Sequence, residues 1–502
     1  MTNLKKQVLR GTLFSYVGFF IGGVNVLIFY PNLLSKEEFG LIQTMLAIVL
    51  PLVALGELGA TSIVNKFFPI YRKHSDIKNN ELPSILLLSG FLGVSILMIL
   101  AYFNLDFIGR KFGKSPLFVE YLFLLPLMVY GSMTFNLLSI FLAHYRKSDW
   151  VMMIRDIGFR FFNFVLLGLI FLKFISFNTF VKLYSVSFAL AAIAVLIILR
   201  KNKLITFTLS ITTLSRRLSP KILKYGFFMW FANVCLVTAP LMDTIGVAGI
   251  LGIEQTAIFA IASYFVVFVS LPQKAILMPI IPIISECWRD KKMEKLDQLY
   301  KSSSEVMLLL GGLIFANIWI NIDHIYAFLP SGYEAGKWVF FVLGLAKLLD
   351  LVTSINGYIL NTSTKYWKID LMTTVGLVFI IGPLNYFFIK EYGIIGSAYA
   401  NLLAYFSFNL FRTAYLRYKT KLYPLSKKTL YAFLLIGFMI LTGFVKVDLH
   451  LNINAYVLAG LNIFLKSAVL TLIFLFVIVR YNLSIELRNM IAKYAGMIGI
   501  KL

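Results

Sequence analysis

Charge, acid and cysteine are all scarce in this chain. Of its 502 residues only 14% are charged while 59% are hydrophobic, and the mean hydropathy is +0.84. A soluble protein of this size clothes itself in polar side chains and cannot hide that much apolar surface. A soluble globular fold is therefore excluded, and the composition is that of a polytopic membrane protein. The two cysteines, Cys235 and Cys287, lie far apart with no metal-ligand spacing and read as structural. Acids number 23 against 47 Lys and Arg, a formal charge of +24. The cations fall between long apolar runs, which points to lipid headgroups and topology control and not to nucleic acid. Also missing are a clustered His/Asp/Glu metal set, a nucleophile elbow and a phosphate-binding glycine loop. No enzyme activity, cofactor or metal is expected, and no outer loop longer than roughly 16 residues leaves room for a catalytic domain.

What is abundant is apolar sequence in bilayer-length runs. A window of about 20 residues finds about fourteen candidate helices, at 12–34, 41–69, 84–104, 117–142, 157–173, 178–199, 225–249, 256–284, 305–322, 338–360, 369–389, 394–416, 429–446 and 454–479. The basic opening "MTNLKKQVLRG" precedes a long apolar segment without a small-residue cleavage pattern, so it reads as a retained first span. The second and eighth runs exceed the spanning minimum and should tilt, bend or project. Pro272, Pro279 and Pro282 should kink the eighth. With the N-terminus inside, about 32 cations fall on inner segments against about 8 on outer ones, which places both termini in the cytoplasm.

A faint repeat divides the chain. "LLSKEEFGLIQT" follows the first run and "ILGIEQTAIFAI" the seventh; both are short turns with an acid, Glu37 or Glu254, before a long helix. Six helices between equivalent points suggest two parallel six-helix lobes with an appended pair. The expected organisation is all-α: an N-terminal lobe at 1–200, a cytoplasmic linker at 201–224, a C-terminal lobe at 225–420, and the helix pair with a basic tail at 421–502.

Those residues carry a family resemblance. "LLSKEEFGL" followed by "ALGELGATS", and later "PLMDTIGVAGILGIEQTAIFAIASYFV" with "LPQKAILMPIIPIISE", resemble the lobe openings of Wzx-type oligosaccharide and polysaccharide flippases. These belong to the multidrug/oligosaccharidyl-lipid/polysaccharide exporter superfamily. The resemblance implies a multi-pass protein of the bacterial inner membrane that exports undecaprenyl-diphosphate-linked sugar repeat units, for surface polysaccharides such as O-antigen or capsule. It further implies membrane lipids and polysaccharide polymerase machinery as partners, and a monomer. Two alternatives of the same superfamily stay open: an ion-coupled multidrug antiporter, for which twelve helices are usual, and a peptidoglycan lipid flippase, whose arginine-rich first helix is absent here.

Ionisable residues at bilayer depth cost roughly 2.5–3.5 kcal/mol on insertion scales and face a cavity or a partner. Lys66, Arg160, Lys274 and Lys347 are the candidates to hold a diphosphate, whose oxygens need cations that are not permanently neutralised. Lys66 and Arg160 lie towards the cytoplasmic entry, and Lys274 sits between two prolines. Lys347 shares a helix face with Asp350, so a self-neutralised pair is the competing reading. Lys182 and Arg412, near helix ends, are expected to snorkel to headgroups, and Lys466 has two readings, facing lipid or pairing with a carboxylate. Asn25, Asn32, Asn233 and Gln273, with Tyr30, Trp230 and Tyr264, offer a polar and aromatic lining for sugars, although anchoring at the lipid interface is the favoured reading for most of the aromatics. Glu57, Asp243 and Asp350 read either as sites for H+ or Na+ coupling or as salt bridges between lobes. Gly56 and Gly59 permit close helix approach beside Glu57.

Overall fold

The computed structural model describes residues 2–74, 80–208, 211–353, 355–445, 448 and 454–497, and among them every regular element is helical. The all-α expectation holds for a local reason: an α-helix satisfies all its backbone groups internally, as hydrocarbon requires. Ten helices are long and apolar enough to cross a membrane, or eleven if Gly336–Val352 and Asn356–Thr362 are counted as one bent span. The chain is a multi-pass membrane protein.

The expected fourteen differ from this number at three places. The run at 157–173 lies in helical backbone from Ser148 to Phe171 that carries Arg155, Asp156 and Arg160, too much charge for an ordinary span. The run at 256–284 is split at Ser270 into Ile253–Val269 and Leu271–Arg289. The run at 429–446 is Lys427–Thr442, 16 residues, which at 1.5 Å per residue spans only about 24 Å.

Both over-long runs resolve by breaking. Lys36–Gly56 and Ala60–His74 divide the second. In the eighth, Pro272 occupies the first turn of the new helix, where its missing N–H costs nothing, so it marks a start and not a kink. Pro279 and Pro282 do lie inside that helix.

The described residues form two compact units, Met1–Ala260 and Ile261–Leu502. In the first, Leu125–His144 packs along Phe177–Lys201, and Lys36–Gly56 packs against Leu82–Phe103, Leu125–His144 and Thr213–Thr238. The two repeat-like turns meet there. Ser35 caps Lys36–Gly56 in a reciprocal capping box with Glu38, and Lys36 Nζ lies 4.0 Å from Glu254 Oε1. Ser115 Oγ accepts from the Ile253 N–H at 3.0 Å, which satisfies one of the open donors at the start of Ile253–Val269. At the opposite end the connector before Thr213–Thr238 is pinned to Leu82–Phe103. Thr208 N–H donates to Ser84 Oγ at 2.9 Å, Thr212 N–H to Glu81 Oε1 at 3.2 Å, and Tyr71 shares a 2.6 Å hydrogen bond with Ser215.

In the second unit Ile394–Thr420 packs against both Trp367–Tyr392 and Gly336–Val352, while Met293–Ile320 supports Lys427–Thr442 and Ala455–Tyr481. Trp319, 2% exposed, anchors an aromatic cluster with Trp338, Phe341 and Phe444.

Candidate functional site

Among the described residues, three clusters of charged and polar side chains include candidate site residues, two in the first unit and one in the second. The first surrounds Glu57, where the helix ends for a backbone reason. Leu58 (φ 50°) and Gly59 (φ 77°) are left-handed, so the i→i+4 ladder stops and restarts at Ala60. A Cβ at Gly59 would lie 2.5 Å from the Gly226 carbonyl oxygen, and one at Gly56 2.4 Å from Val94 Cγ2. The close approach expected of these glycines is present. The interruption releases the Leu55 carbonyl, and Trp230 Nε1–H donates to it at 2.9 Å. Glu57 itself is 2% exposed. Its Oε1 accepts from Asn136 Nδ2 at 3.1 Å, and Thr61 also hydrogen-bonds the carboxyl. Among the described residues Glu57 makes no ion pair. Asp243 is buried in the first turn of Met242–Ile250, after a 3-10 turn at Ala239–Leu241.

The second cluster lies between the first helix and residues 153–163, and both stretches contain a π-turn: Asn25–Phe29 and Met153–Gly158. Turns of this kind recur at functional sites. Asn25 Nδ2 donates to the Arg160 carbonyl at 2.9 Å, while Asn25 Oδ1 is buried without a partner. Asn163 Nδ2 donates to the Tyr30 hydroxyl, and Tyr30 stacks on Phe39 with ring centroids 4.9 Å apart. Ser15 Oγ donates to Asp156 at 2.6 Å, and Arg155 Nε pairs with the same carboxylate at 3.0 Å. The Arg160 side chain is half-buried and makes no close ion pair among the described residues. Lys66 is exposed, with Nζ 3.8 Å from the Tyr225 ring centroid. Asn32 is on the surface, donating to the Ile28 carbonyl at 2.7 Å, and Asn233 is half-buried on Thr213–Thr238. Of the four expected amides, Asn25, Asn32 and Asn233 lie in the first unit and Gln273 in the second.

The third cluster is the densest. Lys347 Nζ donates to Asp350 Oδ2 at 2.7 Å and to Gln273 Oε1 at 3.0 Å. Asp350 Oδ1 accepts from Asn409 Nδ2 at 3.1 Å, and Asn409 Oδ1 accepts from Asn356 at 3.1 Å. Lys347 and Asp350 thus pair as their spacing suggested, with Gln273 as a third member. The side chain of Lys274 lies outside the described residues.

Beside this network is an ion pair that helix-end reasoning missed. Arg412 does not snorkel; it is 6% exposed and pairs with Asp370. Its Nε and Nη2 also donate to Thr373 and Thr374 at 2.9 and 3.0 Å, and the guanidinium lies 3.9 Å from the Phe408 centroid. The usable signal was topological. Arg412 and Asp370 stand at similar distances from Gly393, the tight turn between two antiparallel helices, so opposite charges meet. Lys466 likewise pairs with a carboxylate, Asp448, at 2.5 Å, and His324 approaches the same oxygen at 2.9 Å.

Solved structures share this arrangement of helices. A lipid II flippase, MurJ, in an inward closed conformation matches with a TM-score of 0.70 at 16% identity, covering 94% of this chain and 98% of that one. The chain shares the fold of that protein. An inward-facing multidrug resistance MATE family transporter of the MOP superfamily gives 0.62 at 12% identity, covering 86% and 95%. The Vibrio cholerae MATE transporter VcmN gives 0.52 at 13% identity, covering 84% and 99%. At these identities the likeness is one of fold. No family model matches the sequence, and no curated protein matches it.

Proposed function

We propose that this protein is a flippase that carries undecaprenyl-diphosphate-linked oligosaccharide repeat units from the cytoplasmic to the periplasmic leaflet by alternating access between two lobes. The observation that carries the reading is the likeness, over 94% of this chain, to a lipid flippase. The half-buried cations Arg160 and Lys347 and the exposed Lys66 add support, because a diphosphate leaving water needs charge-assisted donors. Neither Lys66 nor Arg160 makes an ion pair within 4.0 Å among the described residues, although Arg160 lies within electrostatic reach of Asp156; they are the cations assigned to the entering diphosphate. Lys347 is held by Asp350 and Gln273; its assigned role is to exchange Asp350 for a phosphate oxygen during the cycle.

The test is reconstitution in vesicles with a fluorescent undecaprenyl-diphosphate oligosaccharide, scored by accessibility from the far leaflet. The wild type should flip it, and Lys66→Ala and Arg160→Ala should each slow flipping about tenfold, the worth of one charge-assisted hydrogen bond. The MATE neighbours support a second reading, an ion-coupled antiporter of organic cations. Proton-driven ethidium transport by the same vesicles, with no movement of the lipid-linked sugar, would establish that reading and overturn the first.

A further inference from the structure

One end of the first unit holds a cavity of about 1130 Å³, at the upper limit of ordinary ligand pockets. Its walls come from the last turn of the Leu82–Phe103 span (Met98, Ala101), the first turns of the Leu122–His144 span (Leu125), and Ile48 and Leu52 of Lys36–Gly56. Two short helices, Leu105–Lys111 and Pro116–Glu120, lie between those span ends. The cavity therefore opens where these spans end. Tyr102 and Phe123 line it and are exposed, as aromatic side chains at headgroup level are.

The interior is apolar, but the mouth is not. Arg110, Asp106 and Glu120 all line it and all are exposed. Asp106 and Arg110 are four apart on one short helix and share a face. Arg110 Nε donates to the Asp106 backbone oxygen at 3.3 Å, which leaves the two terminal nitrogens of the guanidinium for a ligand.

Hydrocarbon gains nothing by leaving the bilayer for an equally apolar cavity, so any preference must come from the headgroup. A mouth with one guanidinium and two carboxylates matches a headgroup that carries both signs. We propose that this cavity holds an acyl chain of a zwitterionic aminophospholipid, with the phosphate on Arg110 and the primary ammonium between Asp106 and Glu120. An anionic phospholipid supplies the phosphate but leaves both carboxylates facing like charge. A choline headgroup carries no N–H to donate to them.

Native mass spectrometry of the purified full chain tests this, with palmitoyl-oleoyl phosphatidylethanolamine, phosphatidylglycerol and phosphatidylcholine added in equal amounts. Phosphatidylethanolamine should be retained about fivefold over either competitor, the worth of an exposed ion pair. Asp106→Asn with Glu120→Gln should bring phosphatidylethanolamine and phosphatidylglycerol to parity, and Arg110→Ala should reduce retention of both. Ala101→Trp, which places an indole in the cavity, should lower retention of all three. Size-exclusion profiles and helical content report folding, and if Ala101→Trp fails to fold, the charge variants decide the matter. Equal or greater retention of phosphatidylglycerol by the wild type, or an unchanged preference in the double acid variant, overturns the proposal. The outcome is independent of whether the protein flips a lipid-linked sugar.

Discussion

Trp230 donates its indole N–H to the Leu55 carbonyl at 2.9 Å, and so closes the hydrogen-bond ladder that the break at Leu58 and Gly59 leaves open. An unsatisfied buried carbonyl costs about 1–3 kcal/mol. Trp230→Phe keeps most of the ring volume and removes the donor, so the purified protein should lose about that much stability. Thermal unfolding in detergent measures it; an unchanged Tm would mean that water or another donor serves Leu55.

Gly59 combines a left-handed φ of 77° with 2.5 Å between an added Cβ and the Gly226 carbonyl oxygen. Gly59→Ala should be strongly destabilising, beyond the usual several tenths to 1 kcal/mol scale of glycine substitutions. Gly437→Ala, where an added Cβ meets nothing within 4 Å, should be neutral or slightly stabilising. Comparing folded yield and Tm of the two variants separates a geometric requirement from general sensitivity to substitution.

The buried pair of Arg412 and Asp370 predicts strong coupling. Removing one partner of such a pair costs about 3–5 kcal/mol because the other charge is left uncompensated. Arg412→Gln or Asp370→Asn alone should destabilise by that order, and the double variant by clearly less than the sum. A double-mutant cycle on unfolding free energy is the measurement, and strict additivity would refute the pairing.

Glu81 predicts a pH dependence at the connector. Burial raises its carboxyl, but hydrogen bonds from Ser215, Thr212 and the backbone outweigh burial and hold it below the ordinary carboxylate range. A group that is more acidic folded than unfolded stabilises the fold above its unfolded pKa, about 4.3 for glutamate. That contribution is lost as pH falls through the folded value. Glu81→Gln should therefore lower Tm at pH 7, and the gap to wild type should close below about pH 4. A gap that stays constant with pH would remove Glu81 from the account.

The spans were legible because each sums hydropathy over many residues, and local irregularities average out. The breaks were half legible. Length alone said that the second and eighth runs must bend, but the place of bending depends on backbone conformations at Leu58, Gly59 and Ser270 that propensity does not encode. Lys347 and Asp350 were readable as a pair because they share a helix face, whereas Asn409, Asn356 and Gln273 reach them only through tertiary packing. Arg412 was misread because distance to a helix end says nothing about the neighbouring helix. Its true partner was visible only in the hairpin around Gly393.

The two π-turns bear on how this chain is aligned with others. A π-turn closes over i→i+5 and holds one residue more than the α-turn it replaces. At 3.6 residues per turn, everything after Asn25–Phe29 is rotated by about 100° from where an uninterrupted helix would put it. A relative lacking the turn would need a one-residue gap in the middle of a spanning helix, where gaps are ordinarily forbidden. Without that gap Tyr30, Pro31 and Asn32 would be matched one position out of register, and the Tyr30–Asn163 contact would be assigned to the wrong column.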